Sequence, residues 1–170
     1  MNLKSFIRDV PDFPKPGILF RDITPLLKSP GAFSEAIKRL AAICGPIHPT
    51  AIIGVESRGF LFGAPLAIDL GLPFIPVRKP GKLPSARMKV EYALEYGTSQ
   101  LDIHQDALKQ GDRVVIVDDV LATGGTARAA AKLVEMLGAQ VVAQLFVIEL
   151  EFLEGRKALP GYRVESLLSY

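Results

Sequence analysis

Short β-branched runs alternate with longer amphipathic stretches along this chain. Residues 51–55 (Ala-Ile-Ile-Gly-Val), 74–77 (Phe-Ile-Pro-Val) and 114–117 (Val-Val-Ile-Val) contain no polar side chain. Such runs suit strands covered on both faces, as in a parallel sheet. Residues 141–150 form a longer, largely apolar run, and 163–168 a candidate last strand. Between these runs, 30–43 places Phe33, Ile37, Leu40 and Ala41 on one helical stripe. A second helix is expected from Ser57, which could cap it, to about Leu70, where Gly71 closes it. A third covers 127–137, where helix formers dominate. Strands separated by helices predict an α/β fold, with a mainly parallel central sheet flanked by helices on both faces.

The other stretches read differently. Residues 6–10 are expected to form a short helix ending before Pro11. Residues 12–17 hold two prolines and a glycine and read as an extended loop, with a short edge strand possible at 18–20. Residues 80–89 are basic and interrupted by proline and glycine, so a long loop is expected there. Residues 92–96 and 99–103 flank Gly97-Thr98 and suggest a hairpin.

Length and charge narrow the function classes. A chain of 170 residues fits one domain with a sizeable core. A formal net charge of +2 gives no strong field for nucleic acid. The lone Cys44 cannot form an internal disulfide, and no signal peptide opens the chain, so a cytoplasmic protein is expected. The apolar stretches are too broken for a transmembrane helix, so no membrane partner is expected. His48 and His104 are isolated and read as surface residues, without transition-metal spacing. No GxxxxGK[ST] run is present, which removes the P-loop NTPases.

Candidate chemistry concentrates at 114–127. The strand run is followed by two adjacent acids, Asp118 and Asp119, then by Ala122-Thr123-Gly124-Gly125-Thr126, then by the third helix. Backbone N–H groups at a helix start attract phosphate, and glycine lets the chain approach it closely. Carboxylates at the C-terminal end of a strand sit where open α/β sheets bind ligands, and they can accept hydrogen bonds from vicinal hydroxyls. The pattern fits a sugar phosphate. A second strand-to-helix junction, Gly54-Val55-Glu56-Ser57-Arg58-Gly59, could hold another anion. By themselves these residues equally suit a capped helix start with Arg58 in solvent. The cations of Arg78-Lys79-Pro80-Gly81-Lys82 suit a pyrophosphate group, although a solvated basic loop has the same composition.

The stretch 114–127 resembles the 5-phosphoribosyl-1-pyrophosphate (PRPP) signature of the type I phosphoribosyltransferases. The likeness, to the adenine-specific branch of that family, runs from end to end of the chain. It implies the type I phosphoribosyltransferase fold in a single domain, 1–170, with a small N-terminal hood at about 1–30 and a flexible lid loop at about 79–95. It also implies a purine-salvage glycosyltransferase (pentosyltransferase) that converts adenine and PRPP to AMP and pyrophosphate through an oxocarbenium-like transition state. Mg²⁺ would bind mainly through PRPP, without a firm protein ligand. A cytoplasmic homodimer is implied, with Arg78 completing the neighbouring site.

The resemblance assigns roles residue by residue. Asp118 and Asp119 would hold the ribose hydroxyls, and Ala122, Thr123, Gly124, Gly125 and Thr126 the 5′-phosphate. Glu56, Ser57, Arg58, Arg78, Lys79, Lys82 and Tyr96 would surround the pyrophosphate, often with a non-proline cis peptide in the 56–57 turn. Leu19, Phe20, Arg21, Arg58 and Leu150 would enclose adenine, with backbone groups at Leu19 and Arg21 reading its Watson–Crick edge. Glu95 matches the family's general acid/base, and Glu91 stays a nearby alternative. Arg87 and Lys89 make the lid more basic than the family pattern. The segments 152–156 and 166–170 also resemble the family, and packing and solvation are their expected roles.

Two other functions stay open at this level. One is a phosphoribosyltransferase for hypoxanthine, guanine or xanthine, against which the hood motif argues. The other is a PRPP-sensing regulator that binds nucleic acid, which has neither spare length nor a basic face to work with here.

Overall fold

The computed structural model describes residues 1–94 and 97–170. Its centre is a five-stranded parallel sheet in the order Phe74–Val77, Ala51–Val55, Arg113–Leu121, Gln140–Glu149, Val164–Ser169. An antiparallel hairpin, β1 (Arg8–Pro11) with β2 (Leu19–Asp22), opens the chain. Then follow α1 (Thr24–Lys28), α2 (Pro30–Cys44), β3 (Ala51–Val55), α3 (Arg58–Leu70) and β4 (Phe74–Val77). A second antiparallel hairpin, β5 (Arg87–Ala93) with β6 (Thr98–His104), precedes β7 (Arg113–Leu121) and α4 (Gly125–Met136). The chain closes with β8 (Gln140–Glu149) and β9 (Val164–Ser169).

The apolar runs lie in the sheet because it is covered on both faces. Side chains alternate along a strand. Val115 and Val117 of β7 and Ile52 of β3 pack in the core shared with α2 and α3. Val114 and Ile116, with Ala51, Ile53 and Val55, pack against α4 and the β5–β6 hairpin. All four β7 valine and isoleucine side chains at 114–117 are fully buried. The helix ends also follow local chemistry. Ser29 caps α2 by accepting from the Ala32 N–H, and Pro30 sits in its first turn. Gly71 ends α3 in the left-handed conformation.

Several expected elements differ. Residues 6–10 are not a helix: a 3-10 turn covers Leu3–Phe6, and 8–11 is strand β1. Pairing with β2 supplies its backbone hydrogen bonds, and Arg8–Asp22 and Arg21–Asp9 ion pairs cross the hairpin. Ser57 stands at the start of α3 but makes no side-chain cap, because its backbone is already αR rather than extended. The loop expected to reach Lys89 stops earlier, since β5 begins at Arg87 and pairs with His104. Strand β7 runs through both acids to Leu121, four residues beyond the apolar run. Its extension is stabilised by β8, where Phe146 and Ile148 pair with Asp118 and Val120.

Candidate active site

A cleft of about 510 Å³ opens at the C-terminal ends of β3 and β7, under the β1–β2 hairpin. Ligand sites of open α/β sheets lie at this position. Its floor is the unit read from the sequence: Asp118 and Asp119 of β7, the loop from Ala122 to Gly124, and the first turn of α4 at Gly125 and Thr126. Glu56, Ser57 and Arg58, between β3 and α3, form one wall, with Lys79 beside them. Phe20 and Arg21 of β2 and Leu150 after β8 line the opposite end.

Sterics explain how closely these parts meet. The helix α3 can lie against β7 because Gly59 has no side chain; a Cβ there would stand 2.7 Å from the Val117 carbonyl oxygen and 3.0 Å from Asp118 Oδ1. Gly124 turns the loop with φ +85°, the left-handed region in which glycine is unstrained. The Tyr92 hydroxyl lies 3.2 Å from Thr126 Oγ1, which joins the β5–β6 hairpin to the loop.

The two acids are electrically unequal. Asp119 is buried and ion-paired with the Arg58 guanidinium. Asp118 accepts the Asp119 N–H at 2.8 Å. Burial, and then the neighbouring Asp119 charge, hold the Asp118 carboxyl well above the usual carboxylate range. On the adjoining wall, Glu56 Oε2 accepts the Lys79 N–H at 2.8 Å and the Arg78 Nε–H at 3.2 Å. Burial opposes its charge, yet these two donors hold the Glu56 carboxyl below its ordinary value. Glu56 therefore braces the start of the basic loop. The Glu56–Ser57 peptide is cis.

The structure gathers most of the predicted residues and leaves three outside the cleft lining. Leu19 lies on β2, 45% exposed. Arg78 is bound to Glu56 and to the Lys82 carbonyl oxygen, and Lys82 is exposed. Glu95 and Tyr96 lie outside the described residues. Glu91 is exposed on β5. Sequence reasoning missed Tyr92, Leu94, Ser99, Leu101 and Phe146, which also line the cleft. A signal for Tyr92 existed: Met88, Val90 and Tyr92 recur with period two in β5, and all three pack against the core shared with α4.

The arrangement can hold a diol on carboxylates, a phosphate on loop amides and a flat apolar group between Phe20 and Leu150. No group of three or more metal-binding side chains exists among the described residues. None of their helices is long and apolar enough to cross a membrane.

Residues 26–157 match the phosphoribosyl transferase domain family. An adenine phosphoribosyltransferase of Carboxydothermus hydrogenoformans is 61% identical over 170 residues, all of both chains. The crystal structure of the adenine phosphoribosyltransferase of Thermoanaerobacter pseudethanolicus superposes with a TM-score of 0.96 at 56% identity, covering 99% of this chain and 98% of that one. The Saccharomyces cerevisiae enzyme, complexed with adenine and D-2,5-dideoxy-2,5-imino-altritol 1,6-bisphosphate, gives 0.94 at 44% identity, covering 98% and 96%.

Proposed function

The chain belongs to the phosphoribosyl transferase family, and from that premise we propose that it transfers the phosphoribosyl group of PRPP to adenine, giving AMP and pyrophosphate in purine salvage. The observation that carries the reading is the β7–loop–α4 unit, which presents two carboxylates and a glycine loop to one cleft. The likeness of the whole chain to adenine-specific relatives supports the choice of base.

The roles are those the family likeness implies, and the geometry of the cleft supports them for the residues that line it. Asp118 and Asp119 accept hydrogen bonds from the ribose hydroxyls, while Ala122, Thr123, Gly124, Gly125 and Thr126 cradle the 5′-phosphate. Arg58 and Lys79 offset charge on the pyrophosphate beside Glu56 and Ser57. Lys82 joins them from the lid, at about 79–95 of a single domain 1–170, and Tyr96 packs near the ribose and phosphate. Arg78 serves the neighbouring subunit of a homodimer, in keeping with its place outside the cleft lining of its own chain. Leu19, Phe20, Arg21 and Leu150 enclose adenine below a hood of about residues 1–30. Backbone groups at Leu19 and Arg21 match its amino group and ring acceptor, and a 6-oxopurine would leave them unpaired.

In the transfer, the bond from C1′ to the pyrophosphate oxygen breaks as N9 of adenine bonds to C1′. Positive charge develops on the ribose, and the carboxylates beside it are placed to stabilise that charge. N9 loses its proton as it attacks, and Glu95 handles the base proton as a carboxylate near N7. Phosphoribosyltransferases use Mg²⁺ with PRPP, and the oxygen donors of Asp118 and Asp119 suit that hard cation as neighbours of a largely substrate-bound ion. When bound, Mg²⁺ supplies charge neutralisation on the leaving group. A cytoplasmic location is part of the same reading, supported by the lone Cys44.

Incubation with PRPP, Mg²⁺ and adenine, hypoxanthine, guanine or xanthine in turn tests the reading. AMP from adenine alone, lost in Glu95→Ala and in the Asp118→Ala, Asp119→Ala pair, is the expected result. Product from a 6-oxopurine overturns the base assignment, and no product with any base overturns the activity.

A further inference from the structure

Beyond the cleft, a buried carboxylate paired with a half-exposed arginine stands directly behind the phosphate loop. Glu149 ends β8 and is 6% exposed. Its two carboxylate oxygens accept from Arg156, Nε at 2.6 Å and an Nη at 2.7 Å, and Ser166 Oγ donates to it at 2.8 Å. The other Arg156 Nη donates to the Val164 carbonyl oxygen at 2.8 Å. One guanidinium thus ties the 3-10 turn Gly155–Ala158 to β8 and to β9. A two-point arginine–carboxylate pair fixes orientation as well as distance.

That turn touches the loop backbone to backbone. A Cβ on Gly124 would lie 2.4 Å from the Gly155 carbonyl oxygen, and one on Gly155 would lie 2.3 Å from the Ala122 carbonyl oxygen. No flexible side chain stands between them to absorb a shift, so displacement of the turn passes to the loop amides. The Arg156 hydrogen bonds, against partial burial, hold the Glu149 carboxyl below its ordinary value, so the pair is charged at neutral pH.

We propose that Glu149 and Arg156 are positioning residues that set the phosphate loop for the 5′-phosphate of PRPP without touching it. This rests on the function proposed above. The pair governs PRPP affinity through the turn that meets the loop; at the adenine end Phe20 and Arg21 stand on β2, and Leu150 and Tyr170, which adjoin Glu149, are held by backbone hydrogen bonds that side-chain replacement leaves in place.

Steady-state kinetics with Arg156→Gln, Arg156→Lys and the double variant Glu149→Met, Arg156→Met test this, alongside calorimetric PRPP binding and a thermal unfolding midpoint. Paired apolar replacement preserves stability where a single change leaves a buried charge. The expected result is a PRPP KM and Kd raised about tenfold in Arg156→Gln and in the double variant, with partial rescue by Arg156→Lys. The adenine KM and kcat stay within about twofold. A PRPP Kd unchanged in a folded double variant overturns the proposal, as does an equal loss in both KM values. Wild-type protein that binds no PRPP overturns the functional reading itself, and that result is seen before any variant is made.

Discussion

Arg58, the first residue of α3, is ion-paired with Asp119, near the end of β7, across 61 residues of sequence. The carboxylate is nearly inaccessible while the guanidinium is half exposed. One end of the pair is therefore fixed by the sheet, and the other can turn toward a bound anion.

Replacing Arg58 with Met leaves Asp119 buried beside Asp118 without its cation. Because Arg58 is half exposed, the cost is about 1 to 2 kcal/mol rather than that of a fully buried pair. Asp119→Asn in the Arg58→Met background recovers most of it. Urea unfolding of the four proteins in a double-mutant cycle measures the coupling, and a value near zero refutes the pairing as a stabilising contact.

Asp118 gives stability a pH dependence of unusual sign. Its carboxyl is raised above the 3.8 of the unfolded chain by burial and by Asp119. Its contribution is fully present below that value and is lost as pH rises through the raised folded value. Asp118→Asn removes the loss. The variant therefore gains on the wild type as pH climbs above 3.8, read as the difference between thermal midpoints. A difference that stays flat with pH contradicts the assignment.

The space around two glycines predicts opposite outcomes for alanine at each. Gly155→Ala forces a Cβ against the Ala122 carbonyl oxygen and the Leu121 side chain. It costs about 1 to 3 kcal/mol, and the PRPP KM rises with it. Gly31→Ala, in the first turn of α2, meets only the terminal methyl of Met1 at 3.6 Å. It stabilises by up to about 1 kcal/mol through helix propensity. Denaturant melts of both variants make the comparison.

Tyr170 packs on Arg21, at the end of the cleft proposed to hold adenine. Its ring lies 4.0 Å from the Arg21 guanidinium and 4.3 Å from the Lys4 ammonium, and its backbone pairs with Glu149 and Glu151. Tyr170→Ala is expected to raise the adenine KM several-fold, on the order of the 0.5 to 2 kcal/mol of a cation–π contact, and to leave the PRPP KM alone. Tyr170→Phe keeps the ring and the wild-type value. Equal adenine KM values in the two variants would remove the ring from the argument.

The adenine KM also tests a residue that sequence reading set aside. Packing and solvation are the roles expected of 166–170, where nothing local distinguishes Tyr170 from any other terminal aromatic. Its meeting with Arg21 spans almost the whole chain and exists only after β9 has joined the sheet beside β8. Tyr92 is an intermediate case: its side of β5 follows from period two, but its contact with Thr126 requires the hairpin to fold over α4.

By itself the sequence determined the parallel α/β class, the boundaries of β3 and β4, the close of α3 at Gly71, and the β7–loop–α4 unit. Each depends on local rules: apolar runs for strands buried on two faces, glycine where φ must be positive, free amides where a helix begins. Tertiary structure alone decided that 8–11 is a strand rather than a helix, since four residues have no periodicity strong enough to choose until β2 offers hydrogen bonds. It also decided the partner of Arg58, the brace of Glu56 on Arg78 and Lys79, and the seat of Gly155 against Ala122. These contacts join residues distant in the chain, and their geometry is set by how closely packed backbones and paired charges can approach, which no local pattern encodes.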